Sequence, residues 1–212
     1  MASTEFVLVR HGETLSNLEQ LLHGRTDVPL TARGEWQALR VAQRVQEIGD
    51  AAALYSSPLI RALSTALRIS ELIGIDPVLR ADLTEYHFGD FEGYSFSSVR
   101  ESHPEIFVRA IDPADLEFRF PNGESRREFN VRVKGAFDQL VEQHAGQRVV
   151  IVAHGGVIAS AVAQLTGGNP NDWAKYLVQN CSVTHLELNG DAVARMICWN
   201  DALHLQGEDV LL

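Results

Sequence analysis

The stretch FVLVRHGETLSN (residues 6–17) begins as an unbroken apolar run and ends abruptly in Arg10, His11 and Gly12, with Asn17 a short turn further on. Apolar residues without polar alternation are the pattern of a strand covered on both faces, as in the middle of a parallel sheet. VVIVA (149–153) repeats the pattern, and ALYS (53–56) is a shorter strand of the same kind. Between these segments the spacing turns helical. Trp36, Leu39, Ala42, Val45 and Ile48 recur on one helical face after Thr31, which reads as an N-cap, and Phe129, Val133, Phe137, Leu140 and Val141 do the same later. Strands alternating with helices predict an α/β fold, three layers deep with a mostly parallel central sheet. SVTHLEL (182–188) and AVARMICW (192–199) flank Asn189-Gly190, a strong hairpin signal, so one edge of the sheet is expected to be antiparallel.

At 212 residues, without repeats or a linker-like tract, the chain reads as a single domain over 1–212. Its 18 basic and 28 acidic residues give a formal net charge of −10. No Lys/Arg run is long enough to follow a phosphate backbone, which argues against nucleic acid as a partner. No apolar stretch is long enough to span a bilayer, and the start MASTEF lacks a signal-peptide pattern, so no membrane partner and a cytoplasmic location are expected. Cys181 and Cys198 have no CxxC spacing and read as reduced thiols.

The informative residues sit where strands stop, because ligands of open parallel sheets bind outside the carboxyl ends of the strands. Arg10 and His11 follow the first strand, and His154 follows VVIVA. After His154, Gly155-Gly156 would let backbone approach a ligand and lead into a helix whose free N–H groups favour an anion. In SSPLIRALSTAL, Ser57 reads as N-cap and Pro58 as the first helical residue, placing Arg61 in the first turn at the same edge. Two guanidinium forks, imidazoles and a helix N-terminus are groups that bind a tetrahedral phosphoryl group without a metal. Two arginines beside these histidines disfavour a divalent cation, so no metal is expected. GxSxG, Walker A and GxGxxG are all absent.

RHGETLSN, HGRTDVPLTARGEWQA, SSPLIRALSTA, LTEYHFGDFEG, PNGES and VAHGGV, taken in this order, resemble the blocks of the histidine phosphatase superfamily, also called the phosphoglycerate mutase-like family. The resemblance runs from the first strand to beyond residue 157. It implies that His11 is the nucleophile that becomes phosphorylated, that Arg10, Arg61 and His154 form the phosphate pocket with Asn17 helping to bind phosphoryl oxygens, and that Glu85 is the proton donor. It implies no cofactor. An alkoxide leaves poorly without a proton, so a positioned carboxylic acid such as Glu85 suits the chemistry. Glu13, Glu92 and Glu124 read as a charged turn, a loop carboxylate and a helix N-terminal residue.

In the expected cycle His11 attacks phosphorus while neutral, His154 serves best when protonated, and one pocket therefore holds two histidines apart in pKa. The expected function is metal-independent hydrolysis of a small phosphorylated metabolite, with a cofactor-dependent phosphoglycerate mutase as the alternative. The stretch from Gly93 to Pro121 is short for a mutase cap and lacks paired arginines, although Arg109 and Arg119 are there singly. A phospholigand-binding protein without catalysis would need neither His11 nor Glu85. Specificity is expected from a small cap between Tyr86 and Gly123, with Tyr94, Phe96, Phe107, Phe118 and Phe120 offering an apolar wall. Family analogy suggests sugar phosphates, phosphoglycerates, phosphoserine or α-ribazole phosphate, and the edge hairpin could support a homodimer.

Overall fold

The computed structural model describes residues 3–189 and 193–206. Its order of elements is β1 (Thr4–Arg10), α1 (Leu15–Leu18), α2 (Ala32–Ile48), β2 (Ala53–Ser56), α3 (Ile60–Ile73), β3 (Pro77–Leu79), α4 (Phe96–Ser102), α5 (Pro104–Ile111), α6 (Arg126–Gln143), β4 (Arg148–Ala153), α7 (Gly155–Leu165), β5 (Val183–Leu188) and β6 (Arg195–Asp201). The strands form one sheet in the order β3-β2-β4-β1-β5-β6. β1 pairs in parallel with β4, and β2 in parallel with both β4 and β3. On the other side β5 runs antiparallel to β1 and to β6, which makes this the antiparallel edge that the late apolar segments suggested. The Asn189-Gly190 turn itself falls partly outside the described residues.

The period of two along β1 divides its side chains between two cores. Phe6 and Leu8 join Val149 and Ile151 beneath α6 and α7, while Val7 and Val9 join Val150 and Val152 beneath α2 and α3. Both faces of the sheet are thus covered, and this is why β1 is apolar from Phe6 to Val9 and β4 from Val149 to Ala153. The helix over the second face turns slightly away from its expected face. Leu39 is 48% exposed, and the buried stripe of α2 is Ala38, Val41, Ala42 and Val45, small residues that let the helix lie close to the sheet. Thr31 caps α2, accepting a hydrogen bond from the Gly34 amide. α6 buries Phe129, Val133, Phe137 and Leu140 as its spacing predicts.

Two local expectations change. α3 begins at Ile60 with Leu59 as its N-cap and no side-chain cap, so neither Ser57 nor Pro58 opens the helix. The short strand β3 is only three residues long, below the length at which periodicity gives a signal. A third, smaller cluster, including Leu22, Phe91, Val99, Phe118 and Phe120, forms the core of the cap built from α4, α5 and their flanking loops. Among the described residues no helix is long and apolar enough to cross a membrane.

Candidate active site

His11 lies directly beyond β1, and its amide extends the parallel ladder by donating to the Ala153 carbonyl at 3.0 Å. The side chain is 2% exposed. Its Nδ1 is 2.7 Å from the Gly12 carbonyl, and a carbonyl can only accept, so the proton is on Nδ1 and Nε2 carries the lone pair. Gly12 makes this geometry fit. A Cβ there would stand 2.5 Å from the Gly34 carbonyl oxygen, because the loop after β1 crosses the first turn of α2 backbone to backbone. The Gly12 amide donates to Thr65 Oγ1, fixing the same loop to α3.

Three strand ends bring the other groups around this imidazole. The ring of His154, which follows β4, has its centroid 5.2 Å from that of His11, and His23 stands 6.0 Å away on another side. Arg61 is 0% exposed and donates to the Gly24 and Thr26 carbonyls at 2.6 and 2.9 Å. Arg10 donates to the Val178 carbonyl at 2.6 Å. These bonds use part of each guanidinium and leave Arg10 Nε and Arg61 Nε, together with His154 Nδ1 and His23 Nε2, buried without a protein partner. Buried polar atoms are rarely left so, and the three that can donate, Arg10 Nε, Arg61 Nε and His154 Nδ1, mark a place built for an anion, while neutral His23, whose Nδ1 donates to the Leu21 carbonyl, keeps a lone pair on Nε2.

Ser57 has a different task from the cap expected of it. Its Oγ lies 2.7 Å from His154 Nε2 and accepts a 3.3 Å bond from the Leu59 amide. Among the described residues Nε2 is the one acceptor bonded to this hydroxyl proton, so the hydroxyl donates to Nε2, and the ring proton of neutral His154 then sits on Nδ1, the atom without a partner. Asn17 closes a capping box with Thr14, its Oδ1 accepting from the Thr14 amide and from Asn180 Nδ2 at 3.1 Å. These bonds occupy the oxygen of the Asn17 amide and orient its NH₂ group. Asn180 also donates to the His11 carbonyl, tying the loop before β5 to the end of β1.

Glu85 reaches the site from the segment after β3. Its Oε1 accepts from the Tyr86 amide at 2.8 Å and its Oε2 from the Gly156 amide at 2.9 Å. The N-terminus of α7 was expected to aim its amides at a bound anion, yet the Gly156 N–H serves this carboxylate instead. Gly156 is required for the approach, since a Cβ would lie 2.4 Å from Oε1. Gly155 opens α7 against the Arg10 side chain, where a Cβ would make ordinary contact at 3.6 Å. The backbone presenting Glu85 is held by Arg132, which donates to the Asp82 and Thr84 carbonyls at 2.8 Å and forms a two-pronged pair with Glu124. Glu124 is therefore structural support, and Glu92 likewise accepts from the Arg25 and Thr26 amides.

The electrostatics depart from the expected split between two histidines. His11 and His154 are both held well below the usual imidazole range, first by burial. Each also feels Arg61 and Arg10, and among the groups bearing most on His154 there is no carboxylate to favour its protonated form. His23 is lowered to about 4 by burial and by Arg61. Burial pulls even Arg61 down to about 10. The protein alone thus keeps all three imidazoles neutral, and a cation on His154 requires the negative charge of a bound phosphoryl group.

Sequence reasoning had placed His11, Arg10, Arg61, His154, Asn17, Glu85 and Gly155 at one site, and the structure brings them to one end of the sheet. Arg10, Asn17, His23, Glu85 and Gly155 border a cavity of about 300 Å³ between the sheet edge and the cap. In the sequence Ser57 reads only as a cap, and His23, Asn180 and Arg132 carry no assigned role. His23 stood in the quoted HGRTD block, whereas the other three act through contacts more than 45 residues away in the chain, which carry no local pattern. Arg109 and Arg119 lie on the cap surface in ion pairs with Asp115 and Glu128. Among the described residues no group of three His, Cys, Asp or Glu side chains is arranged to hold a metal ion.

A strand-mounted imidazole among arginines, with a carboxylate held by the N-terminal amide of the glycine helix α7, is an arrangement for phosphoryl transfer. The chain belongs to the histidine phosphatase superfamily, branch 1, whose family model matches residues 6–202. It is 34% identical over 205 residues to phosphoglycerate mutase-like protein 4 of Arabidopsis thaliana, covering 95% of this chain and 87% of that protein. The phosphoserine phosphatase of Entamoeba histolytica, solved in complex with 3-phosphoglyceric acid, is similar with a TM-score of 0.85 at 28% identity, covering 96% of this chain and 100% of that one. A mycobacterial glucosyl-3-phosphoglycerate phosphatase is similar with a TM-score of 0.81 at 26% identity, covering 94% and 100%. The protein is accordingly a histidine phosphatase-type enzyme.

Proposed function

We propose that this protein hydrolyses a small phosphomonoester through a phosphohistidine on His11, without a metal ion, in the cytoplasm. The observation that carries the reading is the bare Nε2 of His11, fixed by the Nδ1 bond to the Gly12 carbonyl, beside buried nitrogens of Arg10, Arg61 and His154 that have no protein acceptor. In the first step the Nε2 lone pair forms the N–P bond as the P–O bond to the leaving group breaks. Glu85 gives its proton to the departing oxygen. In the second, Glu85 takes a proton from water, whose oxygen displaces the imidazole from phosphorus and releases inorganic phosphate. The Gly12 carbonyl holds the Nδ1 proton throughout and stabilises the positive ring of the intermediate.

Arg10, Arg61, the Nδ1 proton of His154 and the NH₂ group of Asn17 receive the phosphoryl oxygens. Negative charge arriving there raises the pKa of His154, so this histidine becomes cationic as the substrate binds. The neutral resting state suits His11, which must attack as a free base. The absence of a CxxC motif and the two unpaired cysteines, Cys181 and Cys198, fit a reducing compartment. A relative named phosphoglycerate mutase-like keeps the mutase alternative in view, but no pair of arginines on this cap faces the cavity to grip a second anionic group. Labelled phosphate trapped on the enzyme should be acid-labile and alkali-stable and should vanish in His11→Ala. Persistence of the label in that variant would overturn the reading, and conversion of 3-phosphoglycerate to 2-phosphoglycerate in place of inorganic phosphate would favour the mutase.

A further inference from the structure

The cavity beside Glu85 has a second polar feature, on its cap side. Arg126 lines it while only 8% exposed, far more buried than either surface arginine of the cap. Its guanidinium donates to the Asp112 and Ala110 carbonyls at the end of α5, and it lies 5.5 Å from the centroid of the Phe118 ring. Two of its five N–H groups are thereby used. Among the described residues no carboxylate forms an ion pair with it: Asp115, which bears on it from a distance, is paired with Arg109, and the Asp112 carboxylate accepts from the Ala114 amide. Closing a helix C-terminus accounts for the two carbonyl bonds but not for burying a cation at a cavity wall.

The second observation is Tyr86. Its hydroxyl is buried with no hydrogen-bond partner, and its ring packs on Phe88 and Phe129, both of which line the same cavity. Tyr86 and Arg126 line the same cavity, and Arg126 is the strongest cationic influence on that hydroxyl. Burial holds the phenol neutral and able to donate. The rest of the cavity wall is largely aromatic, with Phe96, Phe120 and Trp173 in addition.

Resting on the phosphomonoesterase reading above, we propose that Arg126 and the Tyr86 hydroxyl form a distal subsite for an anionic oxygen of the leaving group. The substrate class is then a phosphomonoester with an apolar, preferably unsaturated, body and a carboxylate or similar anion at the end away from the phosphate. Short hydroxy-acid phosphates place their carboxylate only a few bonds from phosphorus and leave the aromatic wall unused. An aryl body stacks on that wall and carries its anion to the cap.

The test is a set of phosphate esters: 4-carboxyphenyl phosphate and 6-carboxy-2-naphthyl phosphate, the carboxamide of each, O-phosphoserine and 3-phosphoglycerate. Each is compared by kcat/KM in the wild type, Arg126→Met and Tyr86→Phe. The carboxamides keep the shape and remove the charge, and their stronger electron withdrawal speeds departure of the carboxamide phenol, so leaving-group reactivity works against the expected preference. For at least one aryl scaffold the wild type should prefer carboxylate over carboxamide by about tenfold or more, the worth of a charge-assisted hydrogen bond. Both aryl acids should exceed both short substrates. The carboxylate preference should fall to near unity in Arg126→Met and by roughly threefold or more in Tyr86→Phe, on the same scale. Tyr86→Phe keeps the ring, so the proposal remains testable if the loss of Arg126 frees the end of α5 and the protein unfolds. A wild-type preference at or below unity on both scaffolds, a preference unchanged in the variants, or faster turnover of the short substrates would overturn the subsite. If no ester releases phosphate, the phosphomonoesterase reading falls separately, and calorimetric binding of the same carboxylate and carboxamide pairs still decides whether the subsite discriminates between them.

Discussion

Gly156→Ala is a substitution in the first turn of α7, at a residue with no side chain of its own, and it should nonetheless behave as a lesion of Glu85. The added Cβ would lie 2.4 Å from Glu85 Oε1 and 3.2 Å from its Cδ. Ordinary nonbonded separations are roughly 3.5 Å, so the carboxylate must retreat by about 1 Å. The 2.9 Å bond from the Gly156 amide to Oε2 is broken or bent by that movement. Misplacement of a reacting group by about 1 Å is worth on the order of a hundredfold in rate, or about 2.7 kcal/mol of barrier. Stability should hardly suffer. The clash falls on the mobile end of a side chain, and alanine is favoured over glycine in a helix by up to about 1 kcal/mol.

The expected signature is an unchanged or slightly raised Tm together with severe loss of alkyl phosphate turnover. p-Nitrophenyl phosphate provides the contrast, because nitrophenolate departs without a proton and its first step should be spared. Dephosphorylation also uses Glu85, so the comparison belongs in a rapid-mixing burst: a near-normal burst of nitrophenolate, then a slow steady rate, with no comparable burst of alcohol. Gly155→Ala is the control for a methyl group in the same turn, since its Cβ meets Arg10 only at 3.6 Å. Alkyl phosphate turnover within threefold of wild type in Gly156→Ala, or equal loss of both bursts, would refute the role given to Glu85.

Three further outcomes are expected. Arg61→Lys keeps the charge but cannot bridge the Gly24 and Thr26 carbonyls while reaching a phosphoryl oxygen, so kcat/KM should fall by about 10² or more, as measured by steady-state kinetics. Arg132→Met releases the backbone that presents Glu85 and strips Glu124 of its main partner. A loss of about 3 kcal/mol in denaturant unfolding should accompany a lower kcat, while Glu124→Gln, which leaves the arginine in place, should be milder. The third concerns pH: His11, His23 and His154 have folded-state pKa values below the ordinary 6.5, so the unfolded chain binds more protons as pH falls below that value. Their contribution to stability is complete above about pH 6.5 and is lost on acidification, at up to about 1.4 kcal/mol per pH unit for each histidine. Melting curves between pH 7.5 and 5 should show this slope, and it should be shallower with saturating vanadate, whose negative charge raises the same pKa values.

The parts of the fold that were legible in the sequence are those where burial on two faces leaves an unambiguous pattern. β1 is apolar from Phe6 to Val9 and β4 from Val149 to Ala153 because each lies between two helical layers, and Thr31 sits where a helix needs a cap. α2 was harder to read: Leu39 fits a helical spacing but points outward, because the close approach of α2 to the sheet selects alanines and valines over the larger side chain. β3 was too short to show a period. At the site, His11, Arg10 and His154 were visible because they end strands, and Glu85 through the resemblance of its block. The charge state of His154 was not visible, since it depends on which groups surround it in space, and those turn out to be arginines and another histidine. Ser57 showed only its turn chemistry, while its contact with His154 spans 97 residues of chain.

The cap leaves and rejoins the domain through a closed neck. The Asp90 amide donates to the Pro121 carbonyl and the Glu124 amide to the His87 carbonyl, so the two ends of the excursion are bound to each other before any cap residue contributes. Just outside this neck, Glu92 grips the amides of Arg25 and Thr26, whose flanking carbonyls hold Arg61. Everything from Tyr94 to Phe120 is thereby a loop with fixed ends, and lengthening or rewriting such a loop adds only a slowly growing closure entropy, about 0.6 kcal/mol per doubling. The bonds that hold Arg61 lie outside this loop, and Leu22, which exchanges backbone bonds with Gly93 and Tyr94, ties the His23 segment to its entrance. In evolutionary terms the neck is a socket: one chemical engine can be fitted with a different recognition module without retuning the residues that break the ester.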